Sequence, residues 1–306
     1  VSVVRMSAAL SFLAPEVEQI EFSAWDCLPY DRVSPNSEIV GRRIASLIQL
    51  SKAPKPGPGG TVILTTVAAM LQRMPPRSSY KSSSKTVSVG DRHDPEALTS
   101  FLLTNGYGRS ETVMEPGEFA VRGGIVDIFP PGRENPVRLD FFGDELENAR
   151  SFDTVSQCSI EEIKSFDLIP VSEVLLNEDS ISRFRSGYRA LFGAVGGEDP
   201  LYEAVSSGRR MMGVEHWLGL FYDDLETLAD YLPSAPIVLD YQVEEAKDSR
   251  IELINEYYQA RKDVSGAASS SDTVYNPVPP ERLYLSSTQW SEFLLDRPTA
   301  NFLPSP

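Results

Sequence analysis

Glu118-Phe119-Ala120-Val121-Arg122-Gly123-Gly124-Ile125-Val126-Asp127-Ile128-Phe129-Pro130, followed by Val137-Arg138-Leu139-Asp140-Phe141-Phe142-Gly143-Asp144-Glu145, is the stretch that decides the fold. It predicts consecutive short strands joined by turns. Pro131-Gly132 marks one turn and Gly143-Asp144 the next, because proline fixes φ and glycine tolerates φ > 0. Side chains along a strand alternate between faces. Val137, Leu139 and Phe141 therefore share an apolar face that belongs in a core, and Arg138, Asp140 and Phe142 share the other. That second face joins a charge pair to an aromatic ring. Such a composition suits an interaction hot spot better than an ordinary solvated surface.

Upstream, residues 1–80 read as α/β. Val3-Val4 reads as the stub of a strand, Ser7 to Leu13 has helical spacing, and Ile20-Glu21-Phe22 is strand-like. Ser37 is placed to cap a helix carrying Val40, Ile44, Leu47 and Ile48 at helical intervals. Lys52–Gly60 is a Pro/Gly loop, Thr61–Thr66 a short buried strand, and Val67–Arg73 a helix. Strands alternating with helices predict a parallel sheet. Arg77–Lys85 is a polar, Ser-rich connection, and Asp94–Leu103 a helix capped near Asp94.

Downstream of the strands, Ile160–Leu168 predicts one more short strand. Longer helical patterns then return, broken by Gly196-Gly197. Gly213–Tyr222 is aromatic and expected in a core. Pro236–Asp240 reads as a buried strand, and Glu244–Arg261 as a charged amphipathic helix. Lys262–Pro280 is Ser/Ala/Pro-rich and reads as a linker, with a tail behind it.

The chain has 306 residues, enough for two or three domains with real cores. Its net charge of −16 makes it a poor autonomous nucleic-acid binder, since phosphate affinity comes from clustered Lys and Arg. Two cysteines, Cys27 and Cys158, are expected as buried thiols in a reducing cytosol. With only two histidines, His93 and His216, a zinc site is not expected. No membrane-length apolar run or signal peptide is visible. The chain starts at Val1 inside an apolar segment, which reads as an excised piece of something longer.

No catalytic constellation emerges. A P-loop needs a glycine loop followed by Lys and Ser/Thr, and Gly57-Pro58-Gly59-Gly60 runs instead into Thr61-Val62. Asp240 stands where a magnesium-binding Asp could follow a strand, yet without a P-loop it reads as a strand-end Asp. Asp26, Asp31, Asp144 and Glu145 read as solvated loop acids. His216, set among aromatics, reads as a satisfied packing histidine. No cofactor or metal is expected.

The strand region quoted above resembles the signature of the bacterial transcription-repair coupling factors (Mfd). Trp25-Asp26-Cys27-Leu28-Pro29-Tyr30-Asp31-Arg32-Val33-Ser34-Pro35 resembles a segment of their first domain. Gly213-Val214-Glu215-His216-Trp217, with Leu220-Phe221 and Tyr231-Leu232-Pro233, resembles the segment after their inserted domain. The resemblance covers most of residues 1 to about 245, with its motifs in order. It implies a module similar to the excision-repair protein UvrB: an α/β, degenerate helicase-like (RecA/UvrB-type) split domain with an inserted α+β domain built on an antiparallel sheet. The implied division is 1–85 for domain 1a, 86–170 for the inserted domain 2, 171–262 for domain 1b, and 263–306 for linker and tail.

The resemblance further implies that domain 2 binds UvrA, the damage-recognition ATPase of nucleotide excision repair. The family's UvrA-contacting positions match Arg122, Arg138 and Phe142. Strand alternation agrees for Arg138 and Phe142; the match at Arg122 rests on the motif alone, because the glycines beside it blur strand parity. In the family this surface is masked by the protein's own C-terminal domain, and RNA polymerase and DNA are engaged by domains this chain lacks. A cytoplasmic, bacterial adaptor in DNA repair is therefore expected, not an enzyme. The rival is a truncated UvrB-like ATPase or DNA-handling fragment. Against it stand the missing P-loop, the acidic charge, and a segment from Arg73 to Thr86 too short for UvrB's DNA-wedging hairpin. A structural spacer that binds nothing is the third reading.

Overall fold

The computed structural model describes residues 2–51, 60–195, 199–233, 235–267, 275–295 and 297–302. The first part comprises α1 (Ser2–Leu13), β1 (Glu18–Phe22), α2 (Ser37–Ser51), β2 (Thr61–Thr65), α3 (Val67–Leu71), α4 (Ser79–Ser83) and β3 (Lys85–Ser88). β1 and β2 pair in parallel with Ile20 opposite Ile63. The crossover runs through α2, as parallel pairing requires. The α2 stripe of Val40, Ile44, Leu47 and Ile48 is buried against Phe22, Ala69, Met74 and Tyr80.

Several local expectations change here. Val3-Val4 is helical, not a strand stub, because the β-branched pair is absorbed into the Ser7–Leu13 helix. The residue that caps α2 is Asn36 rather than Ser37. Its side-chain oxygen accepts from the Glu38 amide at 2.9 Å, and its carbonyl accepts from Val40 at 3.0 Å. α3 stops at Leu71, short of Arg73, since Gln72 turns extended (φ −77°, ψ 136°). The Ser-rich connection forms α4, with Tyr80 buried in the core. Of the Pro/Gly loop, residues 52–59 lie outside the described residues.

The middle part holds α5 (Pro95–Thr104), β4 (Gly108–Arg109), β5 (Glu118–Arg122), β6 (Ile125–Ile128), β7 (Val137–Phe142), β8 (Glu145–Phe152), β9 (Ser159–Glu162) and β10 (Ser165–Leu168). Asp94 caps α5, accepting from the Glu96 amide at 2.9 Å, and Pro95 takes the first helical position. β4 to β9 form one six-stranded sheet in sequence order. β4–β5 is parallel and every other pair antiparallel. The expected single strand over Ile160–Leu168 is two: β10 leaves the sheet after Lys164 and pairs antiparallel with β3. One sheet face packs under α5, burying Val126, Ile128, Val137 and Leu139 with Leu98, Leu102, Phe166 and Leu168. Gly124 sits where a Cβ would fall 2.6 Å from the Phe141 carbonyl oxygen, so only glycine lets β6 and β7 approach there.

The last part contains α6 (Glu178–Phe192), α7 (Pro200–Ser206), a 3-10 turn over Val214–Leu220, α8 (Leu228–Tyr231), β11 (Ile237–Leu239), α9 (Val243–Ala267), a 3-10 turn over Pro280–Arg282, α10 (Ser287–Leu295) and β12 (Thr299–Asn301). The aromatic stretch is core as expected: Trp217, Leu218 and Phe221 pack with Trp25, Tyr30, Phe184 and Tyr188. β11 is not the buried strand expected. It pairs in parallel with β12, and Val238 is 58 % exposed. β1–β2 and β11–β12 are thus two separate two-stranded parallel pairs among the described residues, not one sheet.

The expected linker and tail also take structure. α9 continues to Ala267, residues 268–274 lie outside the described residues, and Tyr275 and Val278 enter the core. α10 buries Trp290 against Leu71 and Leu285. The Gly196-Gly197 break likewise falls outside the described residues. The whole is a mixed α/β structure with both parallel and antiparallel pairing.

Candidate partner-binding face

The second face of the six-stranded sheet is built from aligned rows. Ala120, Asp127, Arg138 and Arg150 stand opposite one another across β5 to β8, and Arg122, Ile125, Asp140 and Asn148 form the next row. Phe142 lies beyond them, opposite Glu145 at the β7–β8 hairpin, where Gly143 turns the chain with φ 64°. The three expected positions therefore lie on one face. Alternation holds through the register shift between Asp140 and Phe141: Val137 and Leu139 are buried, Phe141 is half-buried, and Phe142 is 76 % exposed.

The charges pair differently from the expectation. Arg138 is not matched to Asp140 but to Asp127, with Nε donating to Oδ1 at 2.7 Å and Nη2 to Oδ2 at 2.9 Å. Arg122 joins the same carboxylate, Nη2 to Oδ2 at 2.7 Å. Asp140 is taken by Arg150. The reason is register. Asp127 stands directly across from Arg138, whereas Asp140 is two residues along the same strand and faces the next row. Arg138 and Arg150, directly opposed like charges, would repel; Asp127 and Asp140 neutralise them.

Asp127 is fully buried, and it is the residue that sequence reasoning missed. A signal was present: Ile125-Asp127 and Val126-Ile128 are the two alternate sets of β6, so the Asp had to share the face of Arg138. The hydrogen bond to Asp127 raises the Arg138 guanidinium above its ordinary range. The guanidinium also lies 4.5 Å over the Phe152 ring. Its side chain is only 18 % exposed, against 52 % for Arg122. Arg122, Ile125 and Phe142 thus form the open part of the face.

Behind the face, the chain returning from the sheet is anchored by a sealed ion pair. Arg43 Nε donates to Glu173 Oε1 at 2.7 Å, with both side chains fully out of solvent. Trp25 Nε1 donates to the same oxygen at 3.4 Å, and Arg43 lies 4.5 Å over Phe22. The Tyr222 hydroxyl donates to the Glu173 carbonyl at 2.6 Å, and Arg210 Nη2 to the Val174 carbonyl at 2.8 Å.

Among the described residues, no other cluster competes as a site. Cys27 Sγ lies 3.9 Å from His216 Nε2, but burial drives both groups neutral: the thiol is pushed up to about 12 and the imidazole down to about 4. His216 is packed as expected, edge-on to Trp25, yet not satisfied, since its Nδ1 has no hydrogen-bond partner. Cys158 is exposed, which corrects the expectation of two buried thiols. Asp26 accepts from the Asn36 amide at 2.9 Å, Asp31 from the Arg32 amide at 2.7 Å, and Asp240 from the Tyr241 amide at 2.8 Å, as loop acids do. Asp144 lies 3.9 Å from Arg92 in a solvent-exposed ion pair. Among the described residues, no three His, Cys, Asp or Glu could hold a metal ion, and no helix is long and apolar enough to cross a membrane.

A family model described as the UvrB interaction domain matches residues 86–174. The transcription-repair-coupling factor of Haemophilus influenzae is 32% identical over 304 residues, 98% of this chain and 25% of that protein. The one from Escherichia coli K12 is 32% identical over 262 residues, covering 85% of this chain and 22% of that protein. The one from Myxococcus xanthus is 34% identical over 237 residues, 74% of this chain and 19% of that protein. The chain spans about a quarter of the length of the first of these relatives. With the candidate face inside the matched region, the chain belongs to the family of the transcription-repair-coupling factors and carries a UvrB interaction domain at residues 86–174.

Proposed function

We propose that the chain is the N-terminal, UvrB-like module of a transcription-repair coupling factor, and that it recruits UvrA in transcription-coupled nucleotide excision repair. It works by protein–protein recognition, needs no cofactor, and has no catalytic step of its own. The observation that carries the reading is Phe142: a large ring, 76 % exposed, on the same sheet face as Arg122 and inside the UvrB interaction domain. Exposed aromatic and arginine side chains in one patch are what central interface positions look like. The rigid sheet behind them supports preorganised binding, because little needs ordering when the partner docks.

In this reading residues 1–85 and 171–262 are the two halves of a degenerate helicase-like domain, and 86–170 is the insert that presents the face. The sealed Arg43–Glu173 pair supports such an arrangement, since it ties the start of the second half to the first half. The ATP-driven translocase of the full-length family, its RNA polymerase and DNA contacts, and the C-terminal domain that masks this face lie outside this chain. The setting is the bacterial cytoplasm. Calorimetric titration of the chain with purified UvrA tests the proposal. Binding is expected for the wild type and weakened by about 1–3 kcal/mol in Phe142→Ala and Arg122→Ala with unchanged circular dichroism. A folded wild type that does not bind, or one that hydrolyses ATP, refutes it.

A further inference from the structure

Arg122 and Arg138, the two arginines that share Asp127, are not equivalent, because Asp127 holds them differently. Arg138 commits Nε and Nη2 to the two Asp127 oxygens, at 2.7 and 2.9 Å, and covers Phe152 with its guanidinium plane. Most of its side chain is out of solvent. Arg122 gives Asp127 a single Nη2 bond at 2.7 Å and keeps half its side chain in water. One carboxylate shared by two guanidiniums leaves the trio with one positive charge, and the neighbouring Arg150–Asp140 pair adds none. Ile125, directly opposite Arg122, and Phe142 supply apolar surface beside that charge.

We propose that Asp127 is a positioning residue that divides the labour: it clamps Arg138, the more enclosed of the two arginine contact positions that the resemblance implies, as a strut, and leaves Arg122 as the outward fork. The partner surface that fits presents one carboxylate next to an apolar pocket for the Phe142 ring. A site read by two free arginines would instead demand two acidic groups. The partner chemistry rests on the UvrA reading above; the division of labour rests on the chain alone. A fork held by a buried carboxylate binds with less loss of side-chain freedom than a free arginine, which is why the strut matters to recognition.

Two measurements separate these layers. In arginine side-chain NMR of the free chain, the Arg138 Nε proton is expected to exchange with solvent about tenfold or more slowly than that of Arg122, because its carboxylate bond must open first. Asp127→Asn is expected to erase most of that difference, and the wild-type comparison stands even if this variant folds poorly. UvrA titrations then compare Arg122→Gln, Asp127→Asn and the double variant. Each single change is expected to weaken binding about tenfold, and the double change little more than Arg122→Gln alone, since Asp127 acts through that fork. Equal exchange at the two arginines, or losses that multiply fully in the double variant, overturns the proposal. Protected Arg138 exchange in a chain that does not bind UvrA upholds the positioning role and removes the partner chemistry together with the recruitment reading.

Discussion

Arg43–Glu173 and Arg138–Asp127 are the same chemical pair in opposite settings. In the first, neither side chain touches solvent, and Trp25, Phe22 and the Tyr222 hydroxyl close around it. In the second, the carboxylate is sealed but shared, and its second arginine, Arg122, stands half in water. The comparison teaches that burial, not charge pairing, decides what a pair can do. A sealed pair exposes no donor to a partner and acts on the fold. A pair with one open member keeps its carboxylate satisfied and still offers a fork outward. Ion pairing of the sealed kind adds little net stability, because desolvation offsets attraction, yet removing one member is costly.

Glu173→Ala is the largest break in this comparison. It leaves the Arg43 guanidinium buried without its carboxylate, and a loss of about 3–5 kcal/mol is expected in denaturant unfolding. The double change Arg43→Met with Glu173→Leu is expected to recover most of it, since matched apolar replacement removes both charges together. A single variant as stable as the wild type would show that the pair does not hold the returning chain.

Acid sharpens the same side of the comparison. His216 packs beside Trp25 with its folded-state value lowered from 6.5 to about 4 by burial. A depressed histidine takes up its proton more readily unfolded than folded. Its contribution is therefore complete above about pH 6.5, is lost as pH falls from there toward 4, and levels off below. The total is on the order of 3 kcal/mol. Unfolding free energies of wild type and His216→Gln at pH 7, 5.5 and 4 check it. Parallel pH curves for the two proteins would show that His216 is not the group responsible.

On the open side, Phe142→Ala is expected to weaken UvrA binding by about 1–3 kcal/mol while changing stability by less than about 0.5 kcal/mol. The ring is solvated in the free chain, so its removal costs nothing until a partner covers it. A matching loss of thermal stability would place Phe142 with the sealed pair instead. The smallest effect concerns the cysteines. Cys158 is exposed next to Gln157, which lies 3.4 Å from Arg138, while burial pushes the Cys27 thiol up to about 12. A maleimide dye should label Cys158 in the native chain and leave Cys27 alone, as mass spectrometry of the peptides would read. Its fluorescence should then report docking on this face, with no more than about a 0.5 kcal/mol effect on stability.

Where a residue's surroundings are set by its chain neighbours, the sequence was enough. Alternation put Val137 and Leu139 inside and Phe142 outside, Asp94 announced a helix start, and Gly143 a turn, because these depend on a period of two, on a local cap or on a single residue's φ. The aromatic segment around Trp217 could be placed in a core from composition alone. What the sequence did not determine was who faces whom. Arg138 took Asp127 rather than Asp140, β10 left its neighbours for β3, and α10 carried Trp290 back against Leu71. These contacts join positions far apart in the chain and follow from register and packing. Only the tertiary structure decided them, and with them which arginine is strut and which is fork.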